Sequence, residues 1–170
     1  QTLRIRTNRV PGTGWVRNVS GPTVSLVPTS EHKVALILPD GQVEEFDLVV
    51  SPTSNLGSLD ATNVTGYVPR AGTLGQLEAL ANPGLLVISA GAEVELVDDT
   101  TLNTYEPALY RYTSAEGVRF EIGPTQGVRK VTDRNGNAVT FGPGGVLHSN
   151  GTGIVFSRDC AQFEVTTPDG

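Results

Sequence analysis

Short apolar stretches in which every second residue is polar run along most of the chain, and turn residues separate them. Leu3 and Ile5 alternate with polar residues at positions 2–6, and similar stretches begin at Trp15 and at Val24. A period of two places alternate side chains on the same face of a β-strand. The pattern therefore predicts a chain built from many short strands, each with one apolar face.

Four pairs of these stretches have the pattern of a β-hairpin, in which two strands flank a turn rich in Gly. In the clearest of them, residues 128–141, the pair Asn135-Gly136 favours a type I′ turn because both central residues of that turn need positive φ angles. The other hairpins are residues 34–48, with a turn at Pro39-Asp40-Gly41, residues 109–122, with a turn at residues 115–117, and the candidate pair 85–88 and 92–97.

Two stretches depart from the strand pattern. Residues 51–70 are rich in Ser, Thr, Asn, Gly and Pro, which predicts mostly loop. Residues 73–81 place Leu74, Leu77 and Leu80 at helical spacing, which predicts a helix of one or two turns. The fold class is therefore all-β, with antiparallel hairpins in a sandwich or an open β-roll and at most one short helix.

The chain divides at the start of the third hairpin. Residues 1–108 form an N-terminal β region with a loop-rich middle at residues 51–84, and residues 109–170 form a region of β-hairpins that packs with the first as one unit. Residues 131–136 are echoed by residues 165–170, and both segments end in a polar turn. Repeated hairpins predict that each unit buries its apolar face on its neighbours.

The amino-acid composition and net charge exclude several kinds of partner for this chain. Gly 20 and Pro 11 in 170 residues suit a chain with many turns, and the 38% of hydrophobic residues predict a thin core. The net charge of −6 argues against nucleic acid and anionic membranes as partners, and no apolar run is long enough to insert in a bilayer.

Cys160 is the only cysteine, so it is either free or paired between chains. The lack of Met and the first residue, Gln1, suggest a processed or excised chain, and the composition suits an extracellular or cell-surface location.

A family resemblance rests on the hairpin region. Its motifs are Tyr110-Arg111-Tyr112-Thr113, the stretch from Gly117 to Phe120, the turn from Val131 to Asn137, the stretch from Gly145 to Gly151 and the stretch from Ile154 to Asp159. These resemble the Rhs/YD-repeat family of bacterial surface and toxin-carrier proteins, over the last 60 residues or so and more loosely upstream. After Arg158-Asp159 the family pattern gives way to Cys160-Ala161, and its autoproteolytic motif is absent. The resemblance implies a β-sheet building block and carries over no protease or toxin activity.

Candidate catalytic groups are scattered. His148 lies beside Ser149, and His32 lies beside Glu31, but the chain has no G-x-S-x-G turn to present a nucleophile. Two His and one Cys without C-x-x-C or H-E-x-x-H spacing indicate no metal site. We therefore expect no enzymatic activity, no cofactor and no metal.

The carboxylates have structural interpretations beside functional ones. Asp98-Asp99 could bind Ca²⁺, but the favoured interpretation is an acidic turn. Glu44-Glu45 and the pair Glu93 and Glu95 could serve as acid and base in glycoside hydrolysis. Glu93 and Glu95 alternate with apolar residues, however, so the simplest interpretation is that they lie on the solvent-exposed face of a strand.

The aromatic residues carry the alternative function. Tyr110 and Tyr112 share one strand face, and together with Trp15 they are a possible ligand platform for a glycan. Packing in the core is the favoured interpretation of these residues and of Tyr67 and Tyr105. We expect a structural building block of a secreted or cell-surface bacterial protein, whose partners are adjacent repeats of the same or a longer chain, or identical copies in a homo-oligomer or polymer. The alternative is a carbohydrate-binding module.

Overall fold

The computed structural model describes residues 2–156 and 163–166. Within these residues the chain is all-β and contains no helix, and its strands join in one open antiparallel sheet. The predicted fold class is thereby confirmed. The described part of the chain accordingly holds no helix with the length and hydropathy that a membrane span requires.

Seventeen strands lie in the described residues. Those of the N-terminal part are β1 (Arg4–Thr7), β2 (Trp15–Ser20), β3 (Thr23–Pro28), β4 (Lys33–Ile37), β5 (Val43–Ser51), β6 (Ser54–Leu56), β7 (Ala61–Pro69), β8 (Gln76–Ala79), β9 (Gly84–Ala90) and β10 (Glu93–Asp98). Those of the C-terminal part are β11 (Tyr110–Thr113), β12 (Arg119–Gly123), β13 (Gly127–Thr132), β14 (Ala138–Gly142), β15 (Gly145–His148), β16 (Gly153–Phe156) and β17 (Phe163–Thr166).

The sheet forks at β7. One edge of β7 pairs with β5, which continues through β4 to β1. The other edge pairs with β8 at Tyr67 and with β9 at residues 61–63. From β8 the sheet runs in sequence order through β11 to β17, and from β9 it runs through β10 and β2 to β3 and β6.

Two hydrophobic cores lie on either side of this fork. The first core contains Leu3, Ile5, Val34, Leu36, Phe46, Tyr67, Leu77, Tyr110, Tyr112 and Ile122. The second core contains Trp15, Val24, Leu26, Val50, Leu59, Leu85, Val87, Val94, Leu96 and Tyr105. Leu48 of β5 and Val64 of β7 pack against both cores. The paired strands β5 and β7 therefore join the two halves of the molecule.

One turn geometry closes four hairpins, at residues 38–42, 114–118, 133–137 and 148–152. In each, the backbone N–H of the first residue donates to the carbonyl of the fifth, and the N–H of the fourth donates to the carbonyl of the first. The fourth residue is always Gly, with φ between 84° and 93°. This is the three-residue loop in which a type I turn is followed by a left-handed residue. A single local rule thus produces each of these hairpins.

The predicted hairpins form, but one predicted turn type is wrong. The hairpins β4–β5, β9–β10, β11–β12 and β13–β14 occupy the expected stretches. At Asn135-Gly136 only Gly136 has positive φ, so the turn is not type I′. The Asp133 carboxylate accepts hydrogen bonds from the N–H groups of Asn135 and Asn137, and these bonds close the longer loop instead.

The predicted helix at residues 73–81 is also wrong, because this segment contains β8. Leu77 points into the first core opposite Tyr112, while Gln76 and Glu78 on either side are exposed. The pairing with β11 outweighs the helical spacing of the leucines, and Leu74 is left 75% exposed. Gly75 packs so closely on the ring of Tyr112 that a β-carbon would collide with it.

The predicted loop at residues 51–70 holds the nine-residue strand β7. Its alternation is hidden by a bulge, because Val49 and Val50 of β5 pair with Gly66 and Val64 and leave Thr65 without a partner. A bulge shifts the phase of the buried positions by one residue. Cys160 and the turn-like segment 167–170 lie outside the described residues.

The glycine of the repeated turn gives a stability prediction. Gly41 has a φ of 91°, and a β-carbon there would meet nothing within 4 Å, so a substitution tests backbone conformation alone. We expect Gly41→Ala to lower the free energy of unfolding by about 1–2 kcal/mol, measured by urea denaturation. Gly41→Asn should cost less, because Asn adopts positive φ more readily. Equal costs for the two variants would contradict this account of the turn.

Candidate interaction site

A cleft opens at one end of the first core, between two of the repeated turns. The turns at residues 38–42 and 114–118 form two of its walls, and Leu74 forms a third. Its volume is about 610 Å³, and its floor is apolar and includes Leu3 and Phe120. Both turns have the same local geometry, so two hairpin ends of one kind border the cleft.

A buried carboxylate lies at the back of this cleft. Glu44 is only 6% exposed, and its carboxylate accepts three hydrogen bonds. The donors are the Tyr112 hydroxyl at 2.9 Å, the Leu74 N–H at 3.2 Å and the Gly75 N–H at 3.3 Å. A buried carboxylate is stable only when its oxygens are bonded in this way. Glu44 therefore ties β11 and the segment before β8 to β5.

Neighbouring residues of β5 hold the same segment through further hydrogen bonds. The Thr73 hydroxyl donates to the carbonyl of Glu45 and accepts from its N–H. Two nitrogens of the Arg70 guanidinium donate hydrogen bonds to the Asp47 carboxylate, and these bonds raise the pKa of the guanidinium. Adjacent residues of β5 thus fix residues 70–75 from both sides, which makes the Leu74 wall of the cleft part of the framework.

The cleft carries negative charge. Asp40 and Glu116 stand exposed on the two turns, Glu44 lies behind them, and no Lys or Arg lines the described walls. Burial raises the pKa of the Tyr112 hydroxyl above its usual value, and the hydrogen bond that this hydroxyl donates to Glu44 and the charges of Glu44 and Glu116 raise it further. The Ser114 hydroxyl is buried there without a hydrogen-bond partner among the described residues.

An apolar groove adjoins the cleft and shares Leu3, Pro39 and Phe120 with it. The groove has a volume of about 720 Å³ and runs between β1 and the hairpins that follow β11. Strand β1 pairs only with β4 among the described strands, so its other edge faces the groove. An unpaired edge beside apolar side chains is a place where another strand can add.

The strands β13–β16, residues 127–156, extend beyond the first core, and we call them the ribbon. Cross-strand pairs place Val131 with Val139, and Phe141 with Val146 and then Ile154, all on one face. This apolar face continues the row that begins with Phe120 opposite Val131. The side chains of this face are more exposed further from the first core, since Phe141 is 36% exposed and Ile154 is 40% exposed.

The opposite face of the sheet is basic where β11, β12 and β13 lie side by side, near the body of the molecule. Arg119, Lys130 and Arg111 line a shallow depression of about 260 Å³ on this face, and we call them the basic patch. Arg111 bonds Glu78 at 2.7 Å and lies 3.5 Å from Glu121. Arg119 and Lys130 form no salt bridge with any of the described residues. The patch therefore keeps an excess of positive charge.

The residues of the predicted ligand platform lie in the cores. Tyr110 is 0% exposed, Tyr112 is 2% and Trp15 is 4%, and Trp15 belongs to the second core while the tyrosines belong to the first. Tyr110 packs edge to face on Tyr67, with ring centroids 5.6 Å apart. Tyr110 and Tyr112 share a strand face as expected, but that face is the buried one. The three side chains form no exposed surface for a sugar ring.

The predicted catalytic candidates are also dispersed. His148 and Ser149 stabilise the turn at residues 148–152 and its neighbour, since His148 Nδ1 accepts the Asn150 N–H and Ser149 Oγ accepts the Ala138 N–H. His32 is buried and stacks on Trp15 with centroids 4.3 Å apart, while Glu31 is exposed and bonds Arg70. Neither pair joins a nucleophile to a base.

The acidic candidates are structural as well. Asp98 accepts the N–H groups of Thr101 and Thr100 at 2.8 Å each, and these bonds lower its pKa, as expected for a turn. Glu95 accepts the Thr104 hydroxyl, and Glu93 is exposed at the start of β10. No group of three His, Cys, Asp or Glu in the described ranges 2–156 and 163–166 is placed to hold a metal ion.

Sequence reasoning missed the role of Glu44 while noting its charge. The sequence does hold a sign of this role, because Glu44 stands two positions before Phe46 and therefore lies on the same inward face of β5. A charged residue at an inward position needs a buried partner. The partners lie 30 to 68 residues away in the sequence, on segments predicted as helix and hairpin, so the contact itself could not be derived.

No protein-family model, curated protein or solved structure matches this chain. The resemblance to the Rhs/YD-repeat family stays a prediction based on the motifs of residues 110–159.

The Glu44 contacts predict a large effect of a small substitution. In Glu44→Gln an amide NH₂ replaces one acceptor oxygen and faces an N–H or O–H donor. We expect the free energy of unfolding to fall by about 1–3 kcal/mol, measured by urea denaturation. Glu45→Gln is the matched control, because Glu45 is partly exposed and its ion pairs with Lys33 and Arg70 are worth about 1 kcal/mol or less. A larger loss in the control would contradict the assignment.

His32 predicts a pH dependence of stability. Burial lowers its pKa below the ordinary 6.5 and the charge of Arg9 adds to this, while the bond to the Thr13 carbonyl opposes it. Below 6.5 the unfolded chain takes up a proton that the folded chain resists, so stability decreases as the pH falls. His32→Phe should flatten the stability curve between about pH 7 and about pH 5. A slope in His32→Phe equal to that of the parent chain would refute the prediction.

Proposed function

We propose that the chain is a structural building block of a secreted or cell-surface bacterial protein. It acts by packing its sheet against neighbouring repeats or identical copies. The observation that carries this proposal is the apolar face of the ribbon, which continues the row of the first core and, among the described residues, leaves Phe141 36% exposed and Ile154 40% exposed. Large apolar side chains aligned on one sheet face are typical of a surface that another element covers.

The occupant that fits this face is a sheet of the same kind. The face consists of paired antiparallel strands with one layer of apolar side chains, and the same turn closes three hairpins of the C-terminal part, at residues 114–118, 133–137 and 148–152. A second copy therefore offers strands of matching spacing and twist. The groove beside the free edge of β1 adds a position where backbone pairing can extend the contact.

The alternatives have less support in the molecule. A carbohydrate-binding module needs exposed aromatic residues, and Trp15, Tyr110 and Tyr112 are buried. An enzyme needs convergent catalytic groups, and the buried carboxylate of the described cleft already accepts three hydrogen bonds that join its walls. A packing function needs neither feature.

Light scattering across a dilution series tests the proposal. We expect the mass of the parent chain to rise above 17.9 kDa with concentration. Ile154→Ser should shift this association to higher concentration, since a polar side chain replaces an apolar one in the contact.

Ile88→Ser is the matched control. Ile88 is 46% exposed on β9, against 40% for Ile154, but it lies on the second half of the molecule, and its substitution should leave association unchanged. A parent chain that stays monomeric at every concentration would overturn the proposal, and so would equal effects of the two substitutions.

A further inference from the structure

Strand β12 separates two surfaces of opposite charge. Phe120 points to the cleft and the groove, whereas Arg119 and Glu121 point to the basic patch. The cleft carries three carboxylates and no cation on its described walls, and the basic patch carries three cations and one carboxylate. The two surfaces are therefore opposite faces of the same sheet.

The apolar residues of the ribbon follow the same division into two faces. Phe141 and Ile154 lie on the cleft side, while Leu147 and Val155 lie on the side of the basic patch, as the cross-strand pairs require. Leu147 is 52% exposed and Val155 is 37% exposed. Each face thus combines a charged part near the body with an apolar part further out: the cleft is acidic, although Arg4 and Arg6 line the groove beside it, and the patch on the opposite face is basic.

We propose that a second copy of this chain docks head to tail, with its basic patch on the carboxylates of the cleft. In the same arrangement, Leu147 and Val155 of the second copy cover Phe141 and Ile154 of the first. This inference rests on the proposed packing function and specifies its partner and direction. Charge complementarity selects the second copy, because the basic patch matches a cleft rim that would repel an identical rim.

The arrangement has a consequence for assembly. The contact uses different surfaces on the two partners, so every docked copy still presents one free head and one free tail. Such a heterologous contact continues into an open chain of copies unless its rotation closes a ring. A face-to-face dimer, in contrast, would place two acidic clefts against each other.

Two charge variants test the direction of docking. The tail variant, Arg119→Gln with Lys130→Gln, removes the two cations of the basic patch that form no salt bridge among the described residues and adds no carboxylate that could attract the head variant. The head variant, Gln42→Lys with Glu116→Lys, reverses the cleft rim and leaves Asp40, whose carboxylate accepts the residue-42 N–H, in place. None of the four substituted residues belongs to either hydrophobic core, and thermal unfolding of both variants checks that they still fold.

We expect each variant alone to associate at least about tenfold more weakly than the parent chain in light scattering. Mixed in equal amounts, they should form dimers and stop there, because the pair has one intact head and one intact tail and uses both. Raising the salt concentration should weaken the parent association, since opposite charges are screened.

The outcomes separate this inference from the packing function. Association of the parent chain that depends on Ile154 but is unaffected in both charge variants would overturn head-to-tail docking and leave the packing function standing. Association of either variant with itself at parent strength, or a mixture that stays monomeric, would also overturn it. A parent chain that is monomeric throughout would overturn both.

Discussion

The pairing of β5 with β7 is the contact on which both halves of the molecule depend. Leu48 and Val64 pack on both cores, while Phe46 serves the first core and Val50 the second. Phe46, Leu48 and Val50 alternate on one face of β5, so this face extends from the first core to the second. The bulge at Thr65 keeps Tyr67 and Val64 of β7 opposite Leu48 and Val50 along that face. Every other strand joins the sheet through one of these halves.

Local features of the sequence predicted the hairpins, because each is fixed by a glycine and an alternation within about ten residues. The turn from Leu38 to Gln42 needs nothing from the rest of the chain. The errors occurred where distant residues decide the structure. Leu77 belongs to a strand because β11 pairs with it, and β7 looked like a loop because its bulge breaks the alternation. Glu44 was visible as a charge, but its partners became neighbours only in the folded chain.

The fold also explains how a sheet of modest hydrophobic content remains ordered. Inward polar groups such as Glu44 and Thr62 are bonded to backbone or hydroxyl groups, so they join segments that apolar contacts alone would leave loose. The hydroxyls of Tyr67 and Tyr110 are exceptions, since they are buried and without hydrogen-bond partners among the described residues. Burial raises the pKa of both, which keeps them neutral, and their rings act as hydrophobic packing.

Charge and apolar area have different roles in the proposed assembly. A net charge of −6 makes two copies repel each other in most orientations, so the positive patch around Arg119 and Lys130 is a local exception. Apolar side chains on both faces of the ribbon supply contact area but little direction, because Val, Leu, Ile and Phe pack in many registers. Charge supplies the direction, since only one orientation places the patch over Glu116 and Asp40. In the proposed assembly, the direction of docking therefore follows from the alternation along β12, in which neighbouring side chains point to opposite faces of the sheet.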